Sequence, residues 1–311
     1  MTAATQAPGV HPSSGGQPER RPGIARRLRA RMVPYFLILP GTVWLVVLFI
    51  VPMVAMLSLS LTQGDVTYGF QQTFHFQTYW YVLTTFKAQV ERSVVYGLIS
   101  TVVQIALAYP IAYWIAFRAG RRKNTYLFLL LLPFFVSFVL RTRSWQMLLG
   151  DNGPILNPLK HAGILSANYH ILQTTGAVIG GLTYNYLPFM ILPIYVALER
   201  VDPRLIEAAY DLYATRVRTF RKVILPLSLP GVFAGVVITF VPVASDYVNA
   251  QILGGPNNNM IGNIIQQYFF VNQQYPIAAA LSFVLMASLL VFLFVYAAVL
   301  GTEEVLSAAA R

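Results

Sequence analysis

Very few residues in this 311-residue chain have both the type and the position to do chemistry. Asp246 is the only charged residue between positions 223 and 302. An ionised Asp deep in a bilayer costs about 2.5–3.5 kcal/mol on insertion scales, so it must face a cavity or a partner unless it marks a solvated helix end. The usual catalytic parts are missing around it. The absence of cysteine excludes disulfides, thiolate metal sites and cysteine nucleophiles. His11, His75, His161 and His170 fall in segments that read as tail or loop, without the i, i+4 partner of a metal-binding helix, and read as ordinary polar residues. No lysine follows a glycine, which removes a phosphate-cradling loop, and no G-x-S-x-G elbow occurs. A proton- or sodium-driven carrier usually keeps several ionisable groups on its path, and one Asp does not make such a path. The chain therefore shows no energy source of its own.

The elements that must position Asp246 follow from the spacing of charges. The chain is 56% hydrophobic and 11% charged, with a net charge of +11. Soluble domains run at about 25% charged residues, so the polar coat of a soluble enzyme is missing and an all-α integral membrane protein is expected. Charge-free gaps cover 32–64, 93–117, 124–140, 161–198, 223–245 and 247–302. A spanning helix needs about 20 apolar residues, so each gap holds one. The spans are expected near 35–58, 94–117, 125–142, 176–198, 228–248 and 277–300. The third gap is short, and its span borrows from 141–145, where arginine can snorkel. Stretch 251–276, rich in Asn, Gln and Gly, lies between the last two spans, and whether it forms a re-entrant helix stays open.

With a cytoplasmic N-terminus, 17 of the 22 basic residues fall inside, and only Lys87, Arg92, Arg141, Arg143 and Lys160 fall outside. That asymmetry sets both termini in the cytoplasm. Residues 1–32 form a basic tail too polar to fold, and its arginines serve orientation and anionic-lipid contact rather than nucleic acid. A second cytoplasmic tail is expected over 303–311, with the transmembrane body over 33–302.

The cytoplasmic loop 199–226 carries the most information. Asp202 caps a helix that starts on Pro203, and Leu205, Ile206, Ala209, Leu212 and Tyr213 recur at helical spacing. Thr215 then caps a second short helix. Periodicity alone fits an amphipathic helix lying on lipid. The order Glu207-Ala208-Ala209, followed by Val223-Ile224-Leu225-Pro226, resembles the EAA loop of permease subunits in binding-protein-dependent ABC importers. The family's usual glycine, six residues after the glutamate, is Tyr213 here, so a differently built turn is expected.

The stretches 141–145, 149–155, 184–190, 225–231, 253–256 and 260–263 are similar to spermidine/putrescine-type members of that group. The resemblance implies the six-span type I permease fold, a multi-pass bacterial plasma-membrane protein and no catalytic residue in this chain. It implies a second permease subunit, an ATP-binding cassette dimer that uses ATP and Mg, and an extracytoplasmic substrate-binding protein, with no cofactor on the chain itself. Glu207, Ala208, Ala209, Asp211, Leu212 and Tyr213 are then the residues that couple to the ATPase.

A polycationic cargo would need carboxylates and aromatic faces, the latter attracting cations by about 0.5–2 kcal/mol each. Asp246, Trp145, Tyr184, Asn185 and Tyr186 are the expected path residues. An interfacial aromatic belt explains Trp145 equally well, and helix packing explains Tyr184 and Asn185. Arg141 and Arg143 would repel a polycation, which keeps another small solute, such as an opine, phosphonate or amino-acid-like cargo, as the alternative. A stand-alone secondary transporter and an intramembrane enzyme are the remaining rivals. The pairs Gly176/Gly180 and Gly231/Gly235 allow close helix packing, expected within the subunit.

Overall fold

The computed structural model describes residues 38–300. The basic tail 1–32, the expected start of the first span and the tail 303–311 lie outside the described residues. The chain divides into two units at Ala55 and Met56. Helix α1 (Ile38–Ser60) is the first span and contains a π turn at Val46–Ile50. Pro52 follows that turn; a proline ring removes a backbone donor and crowds the carbonyl four residues back, which favours such a local widening.

A hairpin of β1 (Thr62–Asp65) and β2 (Gly69–Gln72) follows, which the charge pattern did not anticipate. Asp65 closes its turn by accepting the backbone N–H of Thr67 and Tyr68, each at 2.8 Å. Helix α2 (Gln77–Thr85) leads into α3 (Lys87–Arg118), which starts before the expected 94 because charge limits the apolar stretch and not the helix.

The third span departs from expectation. A continuous helix was expected over 125–142, but α4 (Lys123–Leu131) tightens into a 3₁₀ turn at Leu132–Phe135 and stops. Val136 and Ser137 adopt extended ψ angles of 138° and 136°, and α5 (Phe138–Leu149) leaves at an 88° bend. Pro133 cannot supply the N–H that a continuing helix needs there. Five helices among the described residues are long and apolar enough to cross a membrane, and the count reaches six if the bent pair is taken as one broken span.

Short α6 (Leu156–His161) precedes α7 (Thr175–Glu199), whose start is capped by the Thr174 hydroxyl accepting the Ala177 N–H. Between them Asp151 receives Lys160 Nζ at 2.9 Å and His170 Nδ1 at 2.8 Å. The Lys160 bond, then the His170 bond, holds the Asp151 carboxyl below the usual carboxylate value. Helix α8 (Pro203–Asp211) is the first helix of loop 199–226. Helix α9 (Arg216–Ala244) begins earlier and ends earlier than the expected 228–248, with a π turn at Phe220–Ile224 just before Pro226. Asp246 therefore lies in the turn beyond α9. Helices α10 (Val248–Leu253) and α11 (Ile261–Gln266) fill 251–276, and α12 (Tyr275–Leu300) ends the described chain. Ile252, Leu253, Met260 and Ile261 are buried, so this polar stretch folds into the body of the protein.

The core forms where α3, α7 and α9 pack on one another, through Ala108, Ala112, Met190, Ile194, Leu198 and Phe240. Gly231 permits the closest approach. A Cβ there would lie 2.4 Å from Ala197 Cβ and 2.6 Å from the Pro193 carbonyl oxygen. Gly231→Val should cost at least about 1–3 kcal/mol by overpacking, seen as earlier unfolding of the purified chain. Gly180 faces open space, and Gly180→Ala should be neutral or stabilise by less than about 1 kcal/mol. Of the two glycine pairs, only Gly231/Gly235 packs within the subunit as expected.

Candidate functional site

The five expected path residues separate into two groups. On α7, Tyr184, Asn185 and Tyr186 are consecutive, and neighbouring helical positions cannot share one face. Asn185 is fully buried and its amide donates to Thr142 Oγ1 and Asn249 Oδ1, both at 3.0 Å. Tyr186 OH donates to Asp246 Oδ2 at 3.1 Å, while Asp246 Oδ1 accepts the Asn249 backbone N–H at 2.7 Å. Asp246 thus caps the start of α10. At 6% exposure it is not the solvated helix end that its sequence position also allowed. Buried Asp246, Asn185, Thr142 and Asn249, with half-buried Tyr186, form one polar knot joining α5, α7 and α10.

Trp145 and Tyr184 form the second group, in an edge-on ring pair with centroids 5.3 Å apart. They line a cavity of about 310 Å³ together with Arg141, and a larger apolar one of about 510 Å³ on their other side. Asp246 lines neither. Charge counting missed Asn249 and Thr142, although the three-residue spacing Asp246–Asn249 is that of a helix cap.

At the opposite end of α7, Lys123 and Glu199 form an ion pair that ties the third span to the start of loop 199–226. Asp202 Oδ1 accepts the Arg204 N–H at 2.9 Å, and Thr215 Oγ1 accepts the Arg218 N–H at 3.4 Å, as their cap positions predict. Ile206 and Ala209 turn inward and are half-buried, Ile206 against the core. Glu207, Ala208 and Asp211 are exposed. Leu212 and Tyr213 stand out at 82% and 95% exposure.

The turn after α8 corrects the expectation about Tyr213. The Tyr213 N–H bonds the Tyr210 carbonyl and the Ala214 N–H bonds the Ala209 carbonyl, the paired closure usual where glycine ends a helix. Tyr213 adopts this turn itself, at φ +54°. A side chain in that region costs about 1–2 kcal/mol. Tyr213→Gly should therefore raise the unfolding temperature of the isolated chain while removing the most exposed apolar group of the loop. A drop in stability would contradict the strain.

Residues 80–300 match the family described as the binding-protein-dependent transport system inner membrane component. The chain belongs to that family. It is 34% identical over 254 residues to the spermidine/putrescine transport system permease protein PotB of Haemophilus influenzae, covering 81% of this chain and 89% of that protein. The corresponding Escherichia coli protein is 32% identical over 255 residues, covering 81% and 92%. Among solved structures, a bacterial ABC transporter involved in import of the acidic polysaccharide alginate superposes with a TM-score of 0.71 at 18% identity, over 87% of this chain and 96% of that one. A subunit of the MetNI methionine ABC transporter superposes at 0.53 with 16% identity, over 74% and 97%. These likenesses establish the fold alone. The chain is accordingly a multi-pass inner-membrane permease, a transport subunit and not an enzyme.

Proposed function

We propose that this permease works as one of two membrane subunits of an ATP-driven importer of polyamines, with both termini in the cytoplasm. A second permease completes the path, a dimeric ATPase that uses ATP and Mg docks on α8, and an extracytoplasmic binding protein delivers cargo. The chain itself binds no cofactor. The observation that carries the coupling assignment is the exposure of Glu207 and Ala208 on α8, and of Leu212 and Tyr213 in the turn that ends it, while the helix is held against the core through Ile206. An apolar surface next to charged groups on a rigid element suits a groove in another protein. The 17:5 split of basic residues supports the orientation. The polyamine cargo is supported by the names of the curated relatives and by the buried carboxylate of Asp246 beside Tyr186. Affinity purification of the tagged chain from its native membrane should bring down an ATPase subunit and a second permease. Recovery of the chain alone under mild detergent would sink the proposal.

A further inference from the structure

The side chain that the importer reading leaves unexplained is Arg141. Only 8% of it is exposed, and its Nε and Nη1 atoms are buried without a hydrogen-bond partner among the described residues. The ion pairs of the described residues do not include it. Its guanidinium lies 4.3 Å from the centre of the Phe134 ring, which offsets only part of the cost of burying a charge. Asp246 does not pair with it, since no Arg141 nitrogen lies within 4.0 Å of an Asp246 oxygen, and the two Asp246 oxygens accept from Asn249 and Tyr186 instead. Arg143, two residues on, points elsewhere and bonds Gln146 Oε1 at 2.7 Å.

Arg141 lines the cavity of about 310 Å³ with Ser144, Trp145 and Tyr184. The walls carry one cation and no acid, beside an indole N–H, a phenol and a serine hydroxyl. We propose that this cavity is a binding site for a carboxylate. A single guanidinium balances one negative charge and matches a carboxylate's two oxygens, whereas the near-double charge of a phosphate would leave an excess. An ammonium group would meet unbalanced like charge, so Trp145 and Tyr184 are not part of a purely cationic path. The site goes beyond the cargo reading. The carboxylate is either that of a solute, which would then carry an acid as well as an amine, or that of an acidic side chain of the companion permease.

The test uses the purified full chain in lipid nanodiscs and the matched probes 5-aminopentanoate and putrescine, which differ in one end group, with acetate and chloride as controls. The two carboxylates should raise the melting temperature of the wild-type chain, while putrescine and chloride should not. Arg141→Gln should weaken carboxylate binding by about 30-fold or more. Without ligand, Arg141→Met should melt at or above the wild type, because it removes a buried unpaired charge. A merely structural guanidinium would give the opposite sign. Adding the companion permease separates the sources. A response that persists in the pair assigns the carboxylate to a solute. A response that the companion suppresses, together with weaker pairing of Arg141→Gln, assigns it to the companion. An equal carboxylate response in wild type and Arg141→Gln overturns the proposal, as does no response with unchanged pairing. Loss of ATPase co-purification would remove the importer reading and leave this result standing.

Discussion

Replacing Ala208 with Arg and Leu212 with Asp should release the chain from the ATPase proposed to dock on α8 while leaving its own fold intact. Both positions are exposed, and α8 has no buried residue, so each change alone should alter stability by no more than about 0.5 kcal/mol. The effect on docking is expected to be much larger. Apolar anchors at the centre of an interface cost about 2 kcal/mol or more when lost, so each substitution should weaken association at least about 30-fold, and the pair more steeply. ATP-driven uptake should fall with association while the melting temperature of the isolated chain stays put. Ile206→Asp should behave differently, because Ile206 packs on the core: it should unfold the loop as well as uncouple it. Unchanged uptake in the Ala208/Leu212 variant would show that this surface faces lipid, the reading that amphipathic periodicity allows on its own.

Asp246 should give a split result. Asp246→Ala leaves the buried Asn249 N–H without an acceptor, at about 1–3 kcal/mol, and the half-buried Tyr186 OH as well, at about 1 kcal/mol, and should cost about 2–4 kcal/mol in stability. Asp246→Asn keeps one oxygen to cap α10, removes the charge and puts an amide N–H in place of the second oxygen, from which the Tyr186 hydroxyl can turn to accept. It should fold and assemble nearly normally yet lower polyamine uptake at least about tenfold, in line with the loss of one charge-assisted contact. Normal uptake in the Asn variant, with unfolding in the Ala variant, would leave Asp246 as a helix cap and nothing more.

These two residues also show how far the sequence could be read. The spans were legible because the bilayer forces long apolar runs, and the caps at Asp202 and Thr215 were legible because capping is local. The inward turn of Ile206 and the outward turn of Leu212 were not, since both belong to one apolar stripe and only tertiary contact separates them. The break at Val136 and Ser137 escaped notice because one proline inside an apolar run is compatible with a continuous span, as Pro188 and Pro193 demonstrate within α7. Asp246 stands out in the sequence by its isolation, but its cap role depends on where α9 ends. Trp145 and Tyr184 were grouped with Asp246 by residue type. The structure places them beside Arg141 instead, because helical geometry turns Tyr184 away from Tyr186.

The central claim is that this permease moves its cargo with energy taken from a partner ATPase. Its most direct test is uptake of labelled putrescine and spermidine into proteoliposomes containing the purified assembly and binding protein, with ion gradients collapsed by ionophores. Accumulation that requires ATP and Mg, and disappears in the Ala208/Leu212 variant, is the predicted result. Accumulation by the chain without ATP, driven by an ion gradient, would contradict it.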